Sequence, residues 1–163
     1  MVKRKSDYHD RSDLEKLQSQ WNKLVGLRSR DQASAAIVRC ATAAEIAANY
    51  AIREEFVGTG LSPAVVDGFL KWANGIELKM DKLLLPLRYR GVKSDEFKRL
   101  KKLSKEIGEK RNAIVHQGEF ASQNLANDLV RKAKEFIDTT VGKYVSGFDI
   151  KKIKHRSTDA EAI

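Results

Sequence analysis

Apolar side chains recur at spacings of three and four residues in five successive stretches of this 163-residue chain. This periodicity limits the possible folds more than any other feature, because it places the apolar residues on one face of an α-helix. A half-buried strand would instead alternate apolar and polar residues, and no stretch does so. The sequence therefore predicts an all-α fold, a single-domain bundle of about five helices.

Helix-capping and helix-breaking residues set the predicted limits of these helices. The predicted starts are Ser12, Gln32, Ser62, Asp95 and either Ser122 or Asn124, and the predicted ends are Gly26, Val57, Pro86, the 109–120 segment and Phe148. Within the third helix, Asn74-Gly75 is a weak point, since glycine costs about 1 kcal/mol inside a helix. We expect the helical domain over residues 12–148, with a flexible basic N-terminus at 1–11 and a flexible basic tail at 149–163.

The second predicted helix is rich in alanine on its apolar face. Small side chains let a neighbouring helix approach closely, so this composition predicts a central position in the bundle. Cys40, the only cysteine, lies on the same face and is interpreted as a small core residue. A lone cysteine also excludes a disulfide within one chain and a cysteine-rich metal site.

Lysine and arginine outnumber the acidic residues by 31 to 22, which gives a formal net charge of +9. This balance suits a polyanionic partner such as a nucleic acid, with Lys98, Lys101 and Lys105 of the fourth helix as candidate phosphate contacts. Scattered histidines predict no metal site, and no phosphate loop or nucleophile motif indicates a cofactor. No apolar run approaches the roughly 20 residues of a spanning helix, so we expect a cytoplasmic protein outside the membrane.

Residues 109–120, Glu-Lys-Arg-Asn-Ala-Ile-Val-His-Gln-Gly-Glu-Phe, hold the strongest functional signal. They bring together a cation, an amide and the side chain whose ordinary pKa lies nearest neutrality, in Arg111, Asn112 and His116. On an ideal helix about 140° separates Arg111 from His116. The sequence therefore predicts that the two can meet at one phosphate only through a helix break or a second chain.

Arg111 also falls inside or beside the apolar stripe of its helix, so the sequence predicts a charged and partly buried side chain. A buried charge needs a partner. Glu77 is the first candidate, because it falls within the apolar arc of the third helix, and Glu45 of the second helix is the second candidate. In this interpretation the ion pair is structural, and His116 lies on a solvated face where it complements the helix dipole.

The Arg111-Asn112-x3-His116 pattern, at the end of a helix in a small basic α-helical chain, resembles the signature of the HEPN superfamily. That signature is an arginine, usually followed by a polar residue, with a histidine four to six residues beyond. The Val-His-Gln-Gly continuation is also similar to members of the group, and the likeness in helix order covers residues 31–145. The resemblance implies a HEPN-like bundle and a homodimer in which two copies of the motif face each other across a cleft.

Many HEPN proteins are metal-independent endoribonucleases, some of them toxins or defence effectors. By this resemblance, His116 would be the general acid or base, acting on the ribose 2′-hydroxyl or on the leaving 5′-oxygen. Arg111 would neutralise charge that develops on the phosphate, and Asn112 would orient the histidine or the phosphate. An antitoxin or other regulatory protein is a further partner, although Gln117 to Phe120 lack the tyrosine that closely follows the histidine in toxins paired with a nucleotidyltransferase.

Three functions remain open from the sequence. They are a HEPN-type endoribonuclease, a HEPN-like module that binds RNA or a partner without cutting, and a helical interaction protein with a structural Arg–Glu pair. RNA cleavage without metal separates the first function from the other two. RNA binding without cleavage separates the second function from the third.

Overall fold

A computed structural model describes residues 7–29 and 32–151 of the chain. All regular structure in these two ranges is helical, so the all-α prediction is confirmed. A 3-10 turn (Tyr8–Asp10) is followed by α1 (Asp13–Ser29), α2 (Ala33–Phe56), α3 (Pro63–Trp72), α4 (Ile76–Lys79), a π-helical segment (Met80–Leu84), α5 (Leu85–Leu87), α6 (Asp95–Gln117) and α7 (Gln123–Gly142).

The alanine-rich α2 lies at the centre of the bundle, as its composition predicted. Helices α1, α6 and α7 pack against it, and α3 and α4 contact it as well. Its wholly buried residues include six alanines: Ala36, Ala43, Ala44, Ala47, Ala48 and Ala51. Because a methyl group adds little thickness, neighbouring helices pack close on several sides of α2. Cys40 is buried on this helix, which agrees with its interpretation as a core residue.

The third predicted helix is interrupted and does not run unbroken from Ser62 to Pro86. Helix α3 ends and α4 begins on either side of Gly75, whose φ is +85°. A right-handed helix has no residue in that conformation, and glycine adopts it without strain because it lacks Cβ. The predicted weak point at Asn74-Gly75 is therefore a complete break.

A second irregularity follows just before Pro86. The chain widens into the π-helical segment, and the Leu85 N–H bonds to the Met80 carbonyl five residues back. A proline ring clashes with the carbonyl four residues earlier in a regular α-helix, and a widened turn relieves that clash. Proline thus changes the helix geometry here before the chain leaves the helix.

A buried lysine fastens the interrupted segment to the centre of the bundle. Lys79 of α4 is 3% exposed, and its Nζ lies 2.8 Å from Glu45 Oε1 on α2. The same ammonium donates a 3.0 Å hydrogen bond to the Ala73 carbonyl at the C-terminal end of α3. One cation therefore pairs with a carboxylate on α2 and satisfies a carbonyl that the end of α3 leaves without a helical partner.

The folded part of the chain extends further toward both ends than the sequence predicted. Tyr8–Asp10 form the 3-10 turn, and Ile150 is fully buried in the core. Tyr8 Oη accepts a 3.0 Å hydrogen bond from Gln20 of α1, so each end supplies a side chain that contacts the bundle, while the flexibility of the ends stays a prediction. The remainder of both predicted ends, 1–6 and 152–163, lies outside the described residues.

The lysine of the buried pair is much less exposed than its carboxylate, and this asymmetry can be tested. Glu45→Ala leaves the buried Lys79 ammonium without its carboxylate and should reduce the free energy of unfolding by about 2–4 kcal/mol. Lys79→Met removes the buried charge and keeps the apolar stem. It should cost only about 1–2 kcal/mol, because partly exposed Glu45 can be solvated and the main loss is the hydrogen bond to the Ala73 carbonyl. Urea denaturation of both variants measures the difference, and equal losses would contradict the assigned asymmetry.

A carboxylate that joins α2 to α7 should make stability depend on pH. Burial raises the pKa of Glu55, but hydrogen bonds from Lys143 and Tyr144 outweigh burial and hold the pKa below its ordinary value. A lowered folded-state pKa stabilises the fold above the unfolded value of about 4.3, and the stabilisation is lost as pH falls through the folded value. Glu55→Gln should therefore lose less stability than the wild type during acid titration. Glu54→Gln, which leaves Glu55 and both donors in place, is the control and should follow the wild type.

Candidate functional site

The last two turns of α6 hold the three predicted catalytic residues, Arg111, Asn112 and His116. The helix ends just beyond them because Gly118 adopts a left-handed conformation, with φ of +68°. Its N–H closes on the Ala113 carbonyl, which satisfies a group that the helix end would otherwise leave open. The motif is therefore on regular helix and lies within reach of solvent at the helix terminus.

The segment after α6 is fixed to the beginning of α2. The Ala121 N–H donates a 2.9 Å hydrogen bond to Ser34 Oγ in the first turn of that helix. At 1.5 Å per residue, about 33 Å separates Ser34 from Phe56 at the other end of α2. The motif thus belongs to the end of the bundle where α2 begins.

The three motif side chains converge within one chain. Arg111 Nη1 donates a 3.0 Å hydrogen bond to Asn112 Oδ1 and lies 3.4 Å from His116 Nε2. Asn112 and His116 are four residues apart and share a helix face, and the long arginine side chain extends across to that face. The prediction that the motif needs a helix break or a second chain is therefore wrong. It used the angle of each residue around the helix axis and did not allow for the length of the arginine side chain.

The contact between Arg111 and His116 indicates which imidazole form the geometry suits. A guanidinium only donates hydrogen bonds, so Nε2 must accept, and the proton of a neutral His116 is assigned to Nδ1. A phosphate oxygen is a stronger acceptor for the guanidinium than a neutral ring nitrogen. An anion bound at this helix end can therefore replace Nε2 as the acceptor of the Arg111 hydrogen bond. The Nε2 lone pair is then available to accept a proton.

The predicted acid partners of Arg111 have other partners. Glu77 Oε2 lies 3.5 Å from Lys101 Nζ, and Glu45 pairs with Lys79 as described above. The prediction of an Arg111–Glu77 or Arg111–Glu45 pair is wrong in the described part of the chain. The physical reason is that Arg111 is only partly buried and its guanidinium bonds to neighbours near the surface, so it needs no carboxylate.

The predicted phosphate-binding lysines differ in their availability. Lys101 Nζ lies 2.8 Å from Asp81 in addition to its contact with Glu77, so two carboxylates offset its charge. Lys105 makes one longer contact of 3.7 Å, with Glu109 on its own helix, and Lys98 is exposed. Of these three lysines, Lys98 and Lys105 therefore remain as candidate phosphate contacts along the face that leads to His116.

Two apolar side chains near the motif were missed among the predicted site residues. Phe120 is 97% exposed, and Val115 is also exposed on the last turn of α6. Phe120 follows the Gly118 break, so no helical stripe in the sequence includes it. Both are exposed apolar groups that adjoin the motif in sequence.

The rest of the described chain adds no second candidate centre at this end of the bundle. Within residues 7–29 and 32–151, no group of three or more histidine, cysteine or acidic side chains is arranged to hold a metal ion. In the same ranges, the helices lack the length and apolar content needed to cross a membrane. Comparison with protein-family models, with curated proteins and with solved structures finds no match. The interpretation of the site therefore depends on the motif and its geometry.

The correction of the Arg111 partner has a measurable consequence. A buried Arg111–Glu77 pair predicts a loss of about 3–5 kcal/mol for Glu77→Ala. The structure instead places Glu77 in a partly exposed contact with Lys101, which Asp81 also binds, so the expected loss is below about 1 kcal/mol. Chemical denaturation measures the loss of stability, and a loss of 3 kcal/mol or more would support the predicted buried Arg111–Glu77 pair instead.

Proposed function

We propose that this chain is a HEPN-type, metal-independent endoribonuclease of the cytoplasm that acts as a toxin or defence effector. The observation that supports the proposal is the convergence of a guanidinium, a carboxamide and an imidazole at one exposed helix end. A phosphodiester needs a cation for its charge and a group that moves a proton, and these three side chains supply both. The basic net charge of +9 favours approach of a polyanion.

The proposed reaction uses the RNA's own 2′-hydroxyl as nucleophile. His116 Nε2 accepts the hydroxyl proton while the 2′-oxygen bonds to phosphorus and the bond from phosphorus to the 5′-oxygen breaks. Arg111 binds the non-bridging oxygens as negative charge accumulates on them, and Asn112 positions the imidazole or the phosphate. The products are a 2′,3′-cyclic phosphate and a 5′-hydroxyl. The leaving 5′-oxygen takes its proton from a solvent water, and the His116 imidazolium then returns the proton it accepted to solvent, so each chain carries out the reaction with its own group.

The proposal includes a homodimer with the two motifs facing one cleft. Exposed Phe120 and Val115 supply apolar contact area beside the motif for such a dimer. Since each chain already brings its Arg111, Asn112 and His116 together, the dimer would place two complete groups opposite each other. Lys98 and Lys105 would extend the basic surface along α6 for neighbouring phosphates. An antitoxin or regulatory protein would act by covering this end.

The alternative function is a HEPN-like module that binds RNA or a partner protein without cutting. The observation that favours it is the exposure of His116, whose described contact is to a cation and not to an orienting carboxylate. A binding module needs only the guanidinium and the lysines for phosphates. RNA binding without cleavage would identify this function. The third function, a helical interaction protein, was based on a structural Arg111–Glu pair, and the glutamates assigned to that pair bind lysines instead.

Replacing the imidazole tests the proposed catalysis. His116→Ala should lower RNA cleavage in EDTA by roughly 10²–10⁴, because a general acid or base is lost. The helix content and the melting temperature should be unchanged, since the side chain is exposed. His9→Ala, which removes an exposed histidine of the 3-10 turn, is the matched control and should cleave like the wild type. Equal cleavage by both variants would refute the assignment of His116.

Mixing two inactive variants tests whether each site belongs to one chain. Arg111→Ala and His116→Ala should each be inactive, and their mixture should remain so, because every chain then lacks part of its own group. If one chain's arginine instead served the other's histidine, each heterodimer would contain one intact site. Recovery of about a quarter of wild-type activity, the value for random pairing of the chains, would contradict the single-chain geometry.

A further inference from the structure

Phe120 is the most exposed large apolar residue in the described part of the chain. It is 97% exposed, and the next in order, Val57, is 73% exposed. Tyr50 and Phe97 each contact another aromatic ring, whereas Phe120 has no ring contact among the described residues. A single exposed apolar residue is common on protein surfaces and indicates little by itself. The functional interest of Phe120 comes from where its backbone is held.

Two hydrogen bonds hold the chain on either side of Phe120. The Glu119 N–H donates to the Ala113 carbonyl at 3.3 Å, so the chain folds back over the last turn of α6. On the other side, the Ala121 N–H donates to Ser34 Oγ on α2. Phe120 therefore projects into solvent from a short loop whose two neighbouring residues are both fixed to the bundle.

This loop lies next to the proposed catalytic group. The Glu119 carboxylate lies 3.9 Å from Lys110 Nζ, and Lys110 is the residue before Arg111. His116 and Phe120 are four residues apart, so their Cα atoms are separated by at most about 14 Å, and the fold-back of the loop shortens that distance. A nucleotide bound at His116 is therefore within reach of the Phe120 ring.

The proposed reaction leaves one part of the attacking nucleotide without a protein contact. In that reaction Arg111 binds the phosphate, and His116 Nε2 accepts the proton of the 2′-hydroxyl on the 5′ side of the cut. The base of the same nucleotide has no assigned partner. Phe120 is four residues from His116 and nine from Arg111, so it is closer along the chain to the group that contacts this nucleotide's ribose.

The neighbours of Phe120 favour a base over an apolar protein surface as its contact. Gln117, Glu119 and Ser122 are exposed polar residues on both sides of it, and burial of such groups in a dry interface costs free energy. A nucleobase stacks through its flat face, while its polar edge stays in contact with water. Contact with a base therefore uses the ring and leaves the polar neighbours solvated.

We propose that Phe120 contributes to substrate specificity by stacking on the base of the nucleotide whose 2′-hydroxyl attacks. Aromatic side chains stack on unpaired bases of RNA, and the larger face of a purine stacks more strongly than a pyrimidine. The substrate is an unpaired RNA segment with a purine on the 5′ side of the cut. This inference rests on the proposed function and adds a base contact to a site that otherwise binds phosphate and ribose.

Substitutions that differ in aromatic character test the stack. Phe120→Ala should lower kcat/KM for RNA cleavage in EDTA by roughly 5–100-fold, as expected when one stacked base is lost. Phe120→Leu keeps an apolar side chain without an aromatic face and should also be impaired, whereas Phe120→Trp should cleave like the wild type. The loss should lie chiefly in KM, because the ring binds substrate and transition state alike.

The melting temperature of these variants should equal that of the wild type, since Phe120 is exposed. Val92→Ala is the matched control, because it shortens an exposed apolar residue in the loop before α6, at the opposite end of that helix from the motif. It should cleave like the wild type. Sedimentation equilibrium of Phe120→Leu should show unchanged self-association, which separates a base contact from an apolar contact in the proposed motif dimer.

Removal of the base tests the same contact from the RNA side. An abasic ribose on the 5′ side of the cut keeps the 2′-hydroxyl and should lower wild-type kcat/KM by the same roughly 5–100-fold. It should have little effect on Phe120→Ala, because two changes that remove one contact are not additive. The wild type should prefer a purine to a pyrimidine at this position, and Phe120→Ala should lose the preference. An equal dependence of both proteins on the base would overturn the inference.

The outcomes separate this inference from the proposed function. If the wild type cleaves and His116→Ala does not, but Phe120→Ala cleaves like the wild type, the stacking inference is overturned and the endoribonuclease stands. Equal impairment of Phe120→Leu and Phe120→Trp, with weaker self-association, also overturns it. If the wild type cuts no RNA, the proposed function fails, and the affinity for unpaired purine RNA then decides. Affinity lowered in Phe120→Ala and Phe120→Leu but kept in Phe120→Trp supports the stack, and equal affinity of all four proteins overturns it.

Discussion

The close packing permitted by the alanines of α2 is the constraint on which the rest of the structure depends. The distance between packed helix axes depends on the side chains at the contact, and alanine permits the closest approach. With six buried alanines, α2 packs against α1, α6 and α7 and also holds the broken α3–α4 segment. The buried Lys79 then ties that segment to Glu45 on the same helix. Substitutions that enlarge α2 would therefore affect every packed element together.

The candidate site uses this rigid frame without being buried in it. Helix α6 packs its apolar side on the bundle, so the opposite side of its last two turns is held in place yet remains open to solvent. The Gly118 turn stops the helix beyond His116, and the Ala121–Ser34 hydrogen bond fixes the following segment. A short reactive group on a regular helix end is well suited to a long polyanion, because a phosphate backbone needs a surface and not a closed pocket.

Patterns within single helices were predictable from the sequence. Ser12 caps the start of α1 as predicted, in reciprocal hydrogen bonds with Glu15, and Ser122 is the cap of α7, which decides between the two predicted starts. The alanine content of its apolar face also predicted the central place of α2. Both signals arise from neighbouring residues, which a sequence displays directly.

Features that depend on long side chains or on distant contacts were not predictable in the same way. Helical angle alone separated Arg111 from His116, but the flexible arginine extends further than a wheel diagram represents. Lys79 and Lys101 pair with the carboxylates that had been assigned to Arg111, and no pattern in the sequence indicates which cation would lie closer. The burial of Ile150 likewise depends on packing against the whole bundle.

The most direct test of the central claim, that Arg111, Asn112 and His116 form one RNA-cleaving group, is the chemistry of the cut ends. The measurement is to incubate the protein with a defined RNA in EDTA and to determine the product termini, beside the same RNA with a single 2′-deoxy residue at the cut position. The account predicts a 2′,3′-cyclic phosphate and a 5′-hydroxyl, with no cut at the deoxy position. A 5′-phosphate product, or unchanged cleavage at the deoxy position, would contradict it, and so would the absence of any cleavage.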